Sequence, residues 1–297
     1  MAKNLSLAIL VFAAFFVSCK KEEQKAIIPA YLSIPDLDLK TDYSQEGSAH
    51  SKITTVWVFA NDISIGVFNL PCVIPILEEG DTKIEVYAGV NMNGIDATRV
   101  LYSPYKKFEG QVDLKVLDTN FLVPSGIAEI NYSSIATVTI VEDFDQTGLN
   151  LVKTIRSDTG LYRSNLPADV FVNPDEIEDN GKAGIFTLTG DKGFFEASTT
   201  DIYDLPQGSR SVFLEMTYKN EIPITIGVMA ILPGGAIEQV QTIYLFESDE
   251  WNKIYINLVT EISSFPFATG FKIFIGGQKP SSMDSASVYL DNIKLAY

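Results

Sequence analysis

The sequence predicts an all-β protein with two units, and three observations carry that prediction. From about Ile27 onward, β-branched and aromatic runs are broken by Gly, Pro, Asn and Asp, and few stretches sustain a helical period. The chain has 297 residues, of which 46% are hydrophobic, enough for more than one core. Strands without helical crossovers favour antiparallel sheets. We therefore predict a small β-sandwich-like domain over residues 27–136, then an antiparallel β-sandwich of jelly-roll type over residues 137–297.

The N-terminus carries a signal for export. Lys3 gives a cationic start, a mainly apolar run extends from Leu5 to Val17, and the small Ser18 precedes Cys19. The apolar run is shorter than the roughly 20 residues that a membrane-spanning helix needs. Residues 1–19 resemble the bacterial lipoprotein signal, and that resemblance implies cleavage after residue 18 and acylation of Cys19. Residues 19–26 then form a charged, solvated tether.

This resemblance implies a protein anchored in the cell envelope by acyl chains, on the outer membrane and facing either the periplasm or the exterior. Two or more acyl chains make a stable anchor. The formal net charge of −16 argues against binding to nucleic acid. Acylation of Cys19 leaves Cys72 without an intramolecular partner, and its apolar neighbours predict a small buried side chain.

The residue inventory excludes several classes of enzyme. His50 is the only histidine, which rules out a three-histidine zinc site and the His-Glu-x-x-His motif. No Gly-x-Ser-x-Gly elbow is present to complete a serine triad. We predict no catalytic residue, and we expect His50 to lie in a surface loop.

The first domain contains a predicted hairpin. Strands over Thr55–Ala60 and Ile63–Phe68 flank Asn61-Asp62, a pair that tolerates a positive φ, and a third strand covers Thr82–Tyr87. This stretch resembles the small extracytoplasmic domains called PEGA-like. The resemblance implies a structural or cell-wall-facing module without a catalytic site.

The second domain contains nine strand candidates separated by turn signals. They cover Thr137–Val141, Gly184–Leu188, Phe194–Ser198, Ser211–Tyr218, Ile222–Ile231, Gln239–Phe246, Lys253–Leu258, Phe271–Ile275 and Ser287–Leu295.

Three segments of this domain carry a second resemblance. Val141–Asp145, Glu250–Leu258 and Ser287–Leu295 together resemble the galactose-binding-like jelly rolls, which include many carbohydrate-binding modules. The resemblance implies a structural calcium ion held by Glu142 or Asp143 of the first strand and Asp291 of the last. The alternative is that these carboxylates are solvated and Asp291 caps a turn. The acidic segment 175–181 lacks the spacing of an EF-hand loop and predicts a solvated loop.

Aromatic side chains in polar surroundings are the candidates for ligand contact, because sugar rings stack on flat side chains while their hydroxyls need polar partners. Trp57 and Trp251 lie in apolar patterns and are expected in the core. The candidate ligand residues are Tyr162, Arg163, Phe194, Phe195, Tyr203, Glu215 and Thr217.

These patterns leave three hypotheses for function. The first is a lipid-anchored, non-catalytic envelope protein whose jelly roll binds a glycan or another extracellular ligand. The second is a structural or assembly subunit of an outer-membrane complex. The third is a glycoside hydrolase or lyase, which would need two carboxylates close together in a cleft.

Overall fold

The computed structural model describes residues 28–173, 181–208 and 210–297. The signal segment, Cys19, the tether and most of the acidic segment 175–181 lie outside the described residues. Within the described residues, no helix is long and apolar enough to cross a membrane.

The first unit is built from ten strands and one short helix. In chain order these are β1 (Ala30–Ile34), β2 (Leu37–Leu39), α1 (Tyr43–Glu46), β3 (Thr55–Ala60), β4 (Ile63–Asn69), β5 (Cys72–Ile76), β6 (Gly80–Asn91), β7 (Arg99–Leu101), β8 (Phe108–Leu114), β9 (Thr119–Phe121) and β10 (Ala128–Ile130).

Three sheets enclose the core of this unit. The largest has the order β4-β3-β6-β7, with β8 also paired to β6. A three-stranded sheet has the order β5-β1-β9, and β2 pairs with β10. In the three-stranded sheet, β5 is antiparallel to β1 and β9 is parallel to it. The alternating residues Ala30, Leu32 and Ile34 of β1 are buried, so one face of this sheet points into the core.

The second unit contains the remaining strands. They are β11 (Val138–Glu142), β12 (Leu151–Lys153), β13 (Tyr162–Ser164), β14 (Ala183–Thr189), β15 (Phe194–Thr199), β16 (Phe213–Asn220), β17 (Ile224–Ile231), β18 (Ile237–Leu245), β19 (Ser248–Asn257), β20 (Gly270–Gln278) and β21 (Ser285–Ala296), with helix α2 (Val259–Ser263) between β19 and β20.

These strands form two antiparallel sheets with a shared apolar core. The first, here named the docking sheet, has the order β13-β14-β21-β16-β19, with β11 paired to β21. The second, here named the open sheet, has the order β12-β15-β20-β17-β18. The stacked rings of Phe186 from the docking sheet and Phe195 from the open sheet, 4.3 Å apart, mark the contact between them. The all-β fold class and the antiparallel sandwich predicted from the sequence are confirmed.

All nine strand candidates of the second unit are present, with ends that differ by a few residues. The Asn61-Asp62 hairpin also forms, and both residues have a positive φ. The sequence prediction missed β12 and β13, which are three residues long and carry too few side chains to show a period. The first and last strands pair, with Glu142 opposite Ile293. Cys72 is half-buried at the start of β5.

A close approach between the loop after β11 and strand β14 requires glycine. Phe144 is fully buried and has a φ of 60°, and its ring occupies the space where a side chain at position 184 would begin. No atom other than hydrogen can be added at Gly184 without displacing this ring.

We expect Gly184→Ala to lower the free energy of unfolding by about 1–3 kcal/mol, because the added methyl group overpacks the core. Urea unfolding followed by circular dichroism measures this change. The matched control is Gly148→Ala, where an added Cβ meets no atom within 4 Å. Equal stability of the two variants would contradict the packing described for Phe144.

Candidate functional site

The outer face of the docking sheet is partly covered by the first unit. Phe213 of β16, Tyr255 of β19 and Ala296 of β21 belong to the apolar cluster of the first unit rather than to the core of their own sandwich. A main-chain hydrogen bond also joins the two units: Asn93 N–H donates to the carbonyl oxygen of Tyr255 at 2.8 Å. The part of this face around Phe213, Tyr255 and Ala296 is therefore an internal surface of the protein.

A buried charged network lies at the centre of this contact. The Glu215 carboxylate accepts hydrogen bonds from Tyr102 and Tyr132 of the first unit, each at 2.7 Å. Its second oxygen lies 2.9 Å from Lys253 Nζ, and both side chains are fully buried. Burial alone would raise the pKa of Glu215, but the charges of Lys253 and Lys294 outweigh it and lower the pKa to about 2.

Lys294 extends this network into the first unit. Its Nζ donates to the carbonyl oxygen of Ser48 at 2.7 Å and to the Tyr132 hydroxyl at 3.2 Å. The Tyr105 and Tyr255 hydroxyls lie 3.1 Å apart beside it. Glu215 and Lys294 of the second unit thus find hydrogen-bond partners in the first unit, which lowers the cost of burying them.

Two of the predicted ligand residues lie inside this contact. Glu215 and Thr217 are both 0% exposed, so no ligand from solvent reaches them. The prediction that they face a ligand is wrong because strand periodicity places residues on one face but does not tell what covers that face.

His50 also lies at this contact: it is in a loop, as expected, but its ring is partly buried between the units rather than free on the surface. Its ring stacks on Phe171, with centroids 4.1 Å apart, and Nδ1 lies 2.9 Å from Thr217 Oγ1. Burial, followed by the charges of Lys253 and Lys294, lowers the pKa of His50 to about 3. The imidazole is therefore neutral in the folded protein at pH 7.

The outer face of the open sheet has a cleft of about 280 Å³. A row of paired residues crosses the sheet there. Tyr244 of β18 pairs with Thr225 of β17, which pairs with Gly276 of β20, which pairs with Glu196 of β15. The small residues at the centre of this row leave a groove between Tyr244 on one side and Glu196 on the other.

Further aromatic and amide side chains complete the cleft. Phe194 and Gln278 are paired on β15 and β20, and both line it. Phe274 lies across Gly227, where an added Cβ would come within 2.7 Å of its ring. Tyr244 is 51% exposed, so a flat ring is available at the rim.

The carboxylate of Glu196 is held in place by three neighbours. It accepts hydrogen bonds from Thr154 Oγ1 at 2.7 Å, Arg156 Nε at 3.1 Å and Gln239 Nε2 at 3.0 Å. Arg156 Nη2 also pairs with the second oxygen and with the Gln239 amide. Burial alone would raise the pKa of Glu196, but the hydrogen bonds from Gln239, Thr154 and Arg156 lower it overall. The carboxylate is thus ionised and fixed, and the Arg156 side chain is 56% exposed to solvent.

Phe194 is the one predicted ligand residue that lines this cleft. Phe195 is fully buried in the core, and the prediction that it contacts a ligand is wrong because it points to the opposite side of β15. Tyr203 is half-buried, its hydroxyl accepts a hydrogen bond from Asn150 at 2.8 Å, and burial raises its pKa to about 12.

Tyr162 and Arg163 lie on β13, at the edge of the docking sheet. The Tyr162 hydroxyl lies 2.9 Å from Thr187 Oγ1, and the Arg163 guanidinium donates to the carbonyls of Thr147 and Gly148. These contacts hold an adjacent loop, and neither residue lines the cleft of the open sheet.

The tryptophans differ from their predicted core positions. Trp57 and Trp251 are both only partly buried. The Trp251 ring packs edge-on against Phe171 and Tyr289, near the seam between the units.

The three carboxylates expected to hold calcium serve local structure instead. Glu142 accepts hydrogen bonds from the backbone N–H groups of Phe144 and Asn150, and Asp143 accepts one from Asp145 N–H. Asp291 accepts one from its neighbour on β21. No group of three or more His, Cys, Asp or Glu side chains in the described part of the chain is arranged to hold a metal ion. Calcium binding at these residues stays an untested prediction.

Sequence reasoning missed most of the cleft. Arg156 and Glu196 are 40 positions apart, and nothing in the sequence connects them. The sequence pattern could have identified Tyr244, because its neighbours on β18 face inward and strand alternation then places Tyr244 on the outer face.

The chain matches no protein-family model, and no curated protein is similar to it. Among solved structures, a mutant family 29 carbohydrate-binding module has 15% identity over 54% of this chain and 92% of its own, with a TM-score of 0.33. A family 11 module from a cellulosomal cellulase of Clostridium thermocellum has 14% identity over 55% of this chain and 95% of its own, with a TM-score of 0.37.

A third structure, of carbohydrate-binding modules from the β-sandwich superfamily, has 12% identity over 89% of this chain and 97% of its own, with a TM-score of 0.40. At TM-scores this low, the β-sandwich assignment rests on the strand pairing of this chain and not on the similarity.

We expect Glu215→Leu to lower the free energy of unfolding by about 3–5 kcal/mol, because Lys253 then becomes an unpaired buried charge. Adding Lys253→Met to this variant is expected to restore a large part of the loss. Urea unfolding of both variants at pH 7 tests the pair. A double variant no more stable than the single one would show that the ion pair is not the cause.

The single histidine predicts a pH dependence. The ordinary pKa of histidine is 6.5, whereas His50 in the fold stays neutral down to about pH 3. Below pH 6.5 the unfolded chain therefore binds a proton that the fold does not bind, and stability falls by up to about 1.4 kcal/mol per pH unit. The stability is fully present above pH 6.5.

We expect His50→Gln to remove the contribution of His50 to this slope between about pH 6.5 and 4.5. Urea midpoints of the parent and the variant across this range give the comparison. Both proteins share their carboxyl groups, so the difference between them isolates His50. If stability had the same pH dependence in both proteins, His50 would not be the group that causes it.

Proposed function

We propose that this protein is a lipid-anchored, non-catalytic component of the bacterial cell envelope that binds a glycan in the cleft of the open sheet. The observation that carries the binding proposal is the cleft itself, which combines the exposed ring of Tyr244 and the half-buried ring of Phe194 with fixed polar groups. A sugar needs both, because its C–H faces stack on aromatic rings and its hydroxyls need donors and acceptors.

The arrangement of the polar groups supports binding without large rearrangement. Glu196, Arg156 and Gln239 hold one another in place, so a ligand does not have to order them. Gln278 and Thr225 add further polar atoms to the cleft. The groove runs between the side chains on a sheet face and is open to solvent, which suits a chain-like ligand better than a small enclosed one.

The anchoring part of the proposal rests on the sequence of residues 1–19, with a short apolar segment that ends at Ser18-Cys19. An envelope location places the cleft where glycans occur. An assembly subunit, the second hypothesis, would need an exposed apolar surface. Such a surface lies on the first unit and not in the cleft, so the two roles are separable by mutation.

Binding is tested by affinity electrophoresis against soluble β-glucan, xylan, mannan and galactan. We expect Tyr244→Ala to weaken binding about tenfold, the effect of losing roughly 1.4 kcal/mol of aromatic contact. Thr225→Trp, which fills the groove, is expected to abolish binding. The matched control is Tyr162→Ala, an exposed tyrosine on the other sheet. Absence of binding to every polysaccharide by the parent protein would count against the proposal.

Anchoring is tested by expressing the full chain in a bacterial host and separating membranes from soluble protein. We expect the parent and Cys72→Ala to remain with the membranes, whereas Cys19→Ala loses acylation and stays uncleaved. Mass spectrometry of the mature N-terminus reports the acyl chains. An unmodified Cys19 in the parent protein would overturn this part of the proposal.

A further inference from the structure

The three-stranded sheet β5-β1-β9 of the first unit has an apolar outer face. Its inner face is buried in the core, and its outer side carries three rows of residues. The strand pairings set the second row, Pro75, Tyr31 and Thr119, and the third, Val73, Ser33 and Phe121. The first row, Leu77, Pro29 and Leu117, lies just beyond the ends of these strands.

None of these nine positions carries a charge, in a chain whose charged residues make up 20% of the sequence. Five of them are large apolar side chains that remain open to solvent. Leu117 is 74% exposed, Leu77 62%, Val73 59%, Phe121 44% and Tyr31 39%. A sheet that is apolar on both faces is typical of a sheet covered on both faces, so this surface, here named the apolar face, needs a partner.

The course of the chain identifies that partner. The first row of the apolar face contains Pro29, and Leu117 N–H donates to the Pro29 carbonyl at 3.3 Å. The preceding residue, Ile28, is 49% exposed. The segment that connects Cys19 to the first unit therefore enters that unit at the first row of the apolar face. The segment between Cys19 and Ile28 spans at most about 30 Å when fully extended, at roughly 3.3–3.6 Å per residue.

We infer that the apolar face rests on the surface of the lipid bilayer that holds the acyl chains of Cys19. The inference rests on the proposed acylation. A short tether keeps the face at a high local concentration beside the membrane, so even weak apolar contact is occupied. Tyrosine and phenylalanine beside leucine and valine suit the interfacial region of a bilayer. The absence of cations from the nine positions means that this contact needs no anionic lipid.

The test uses the full-length, processed protein reconstituted into phosphatidylcholine vesicles. An environment-sensitive fluorophore is attached through Val73→Cys in a Cys72→Ser background. The matched control is Ile237→Cys on β18, an apolar residue of similar exposure in the second unit. We expect a blue shift and quenching by spin-labelled lipid at position 73 and neither at position 237.

A second variant checks that the face itself is responsible. With the fluorophore at Leu77→Cys, we expect Tyr31→Asp combined with Phe121→Asp to abolish the lipid quenching, while the circular dichroism spectrum and cofloatation with vesicles persist. Quenching that is equal at positions 73 and 237, or unaffected by the aspartates, would overturn the inference.

Three other outcomes would also decide whether the apolar face contacts the bilayer. A blue shift that appears without lipid and grows with protein concentration would assign the face to a second copy of the chain, and one that needs another envelope protein would assign it to that protein. Either result overturns the inference while leaving the anchor intact. If each chain carried two fluorophores, one of them on Cys19, then Cys19 would be unacylated and the proposed anchoring would be wrong.

Discussion

The arrangement of the two units depends on the interactions of the buried Glu215 carboxylate. It joins tyrosines of the first unit to a lysine of the second, with no solvent to share the charge. Such a group is stable only when its partners are all in place, because an unpaired buried charge costs several kcal/mol. This network therefore fixes the position of one unit against the other, and the docking sheet uses part of its outer face for this contact.

That contact decides where a ligand can bind. A jelly roll has two outer sheet faces, and here the first unit covers a large part of one. The open sheet keeps its outer face, and there Glu196 and Arg156 form a second charged pair. The two carboxylates have similar local sequences of alternating residues but opposite roles. Glu215 holds the protein together, whereas Glu196 lies beside a solvent-filled groove with an exposed tyrosine at its rim.

The first unit has a corresponding division of surfaces. One end of its core is completed by residues of the second unit, including Tyr255. Its three-stranded sheet lies elsewhere and exposes leucine, valine and aromatic side chains near the point where the chain leads back to its N-terminus. The nine positions of the apolar face carry no charge although the whole chain has a formal net charge of −16, so charge does not oppose a contact with lipid at these positions.

The sequence by itself determined the fold class, the nine longer strands of the second unit and the Asn61-Asp62 turn. Strand alternation and turn residues are local, and a chain records them directly. Of the ligand residues it proposed, Phe194 lines the cleft, whereas Glu215, Thr217 and Phe195 are buried. Tertiary structure alone decided which sheet face is covered and that Arg156 meets Glu196 across 40 positions. Periodicity assigns a side chain to a face, but the packing of distant segments decides whether that face meets solvent.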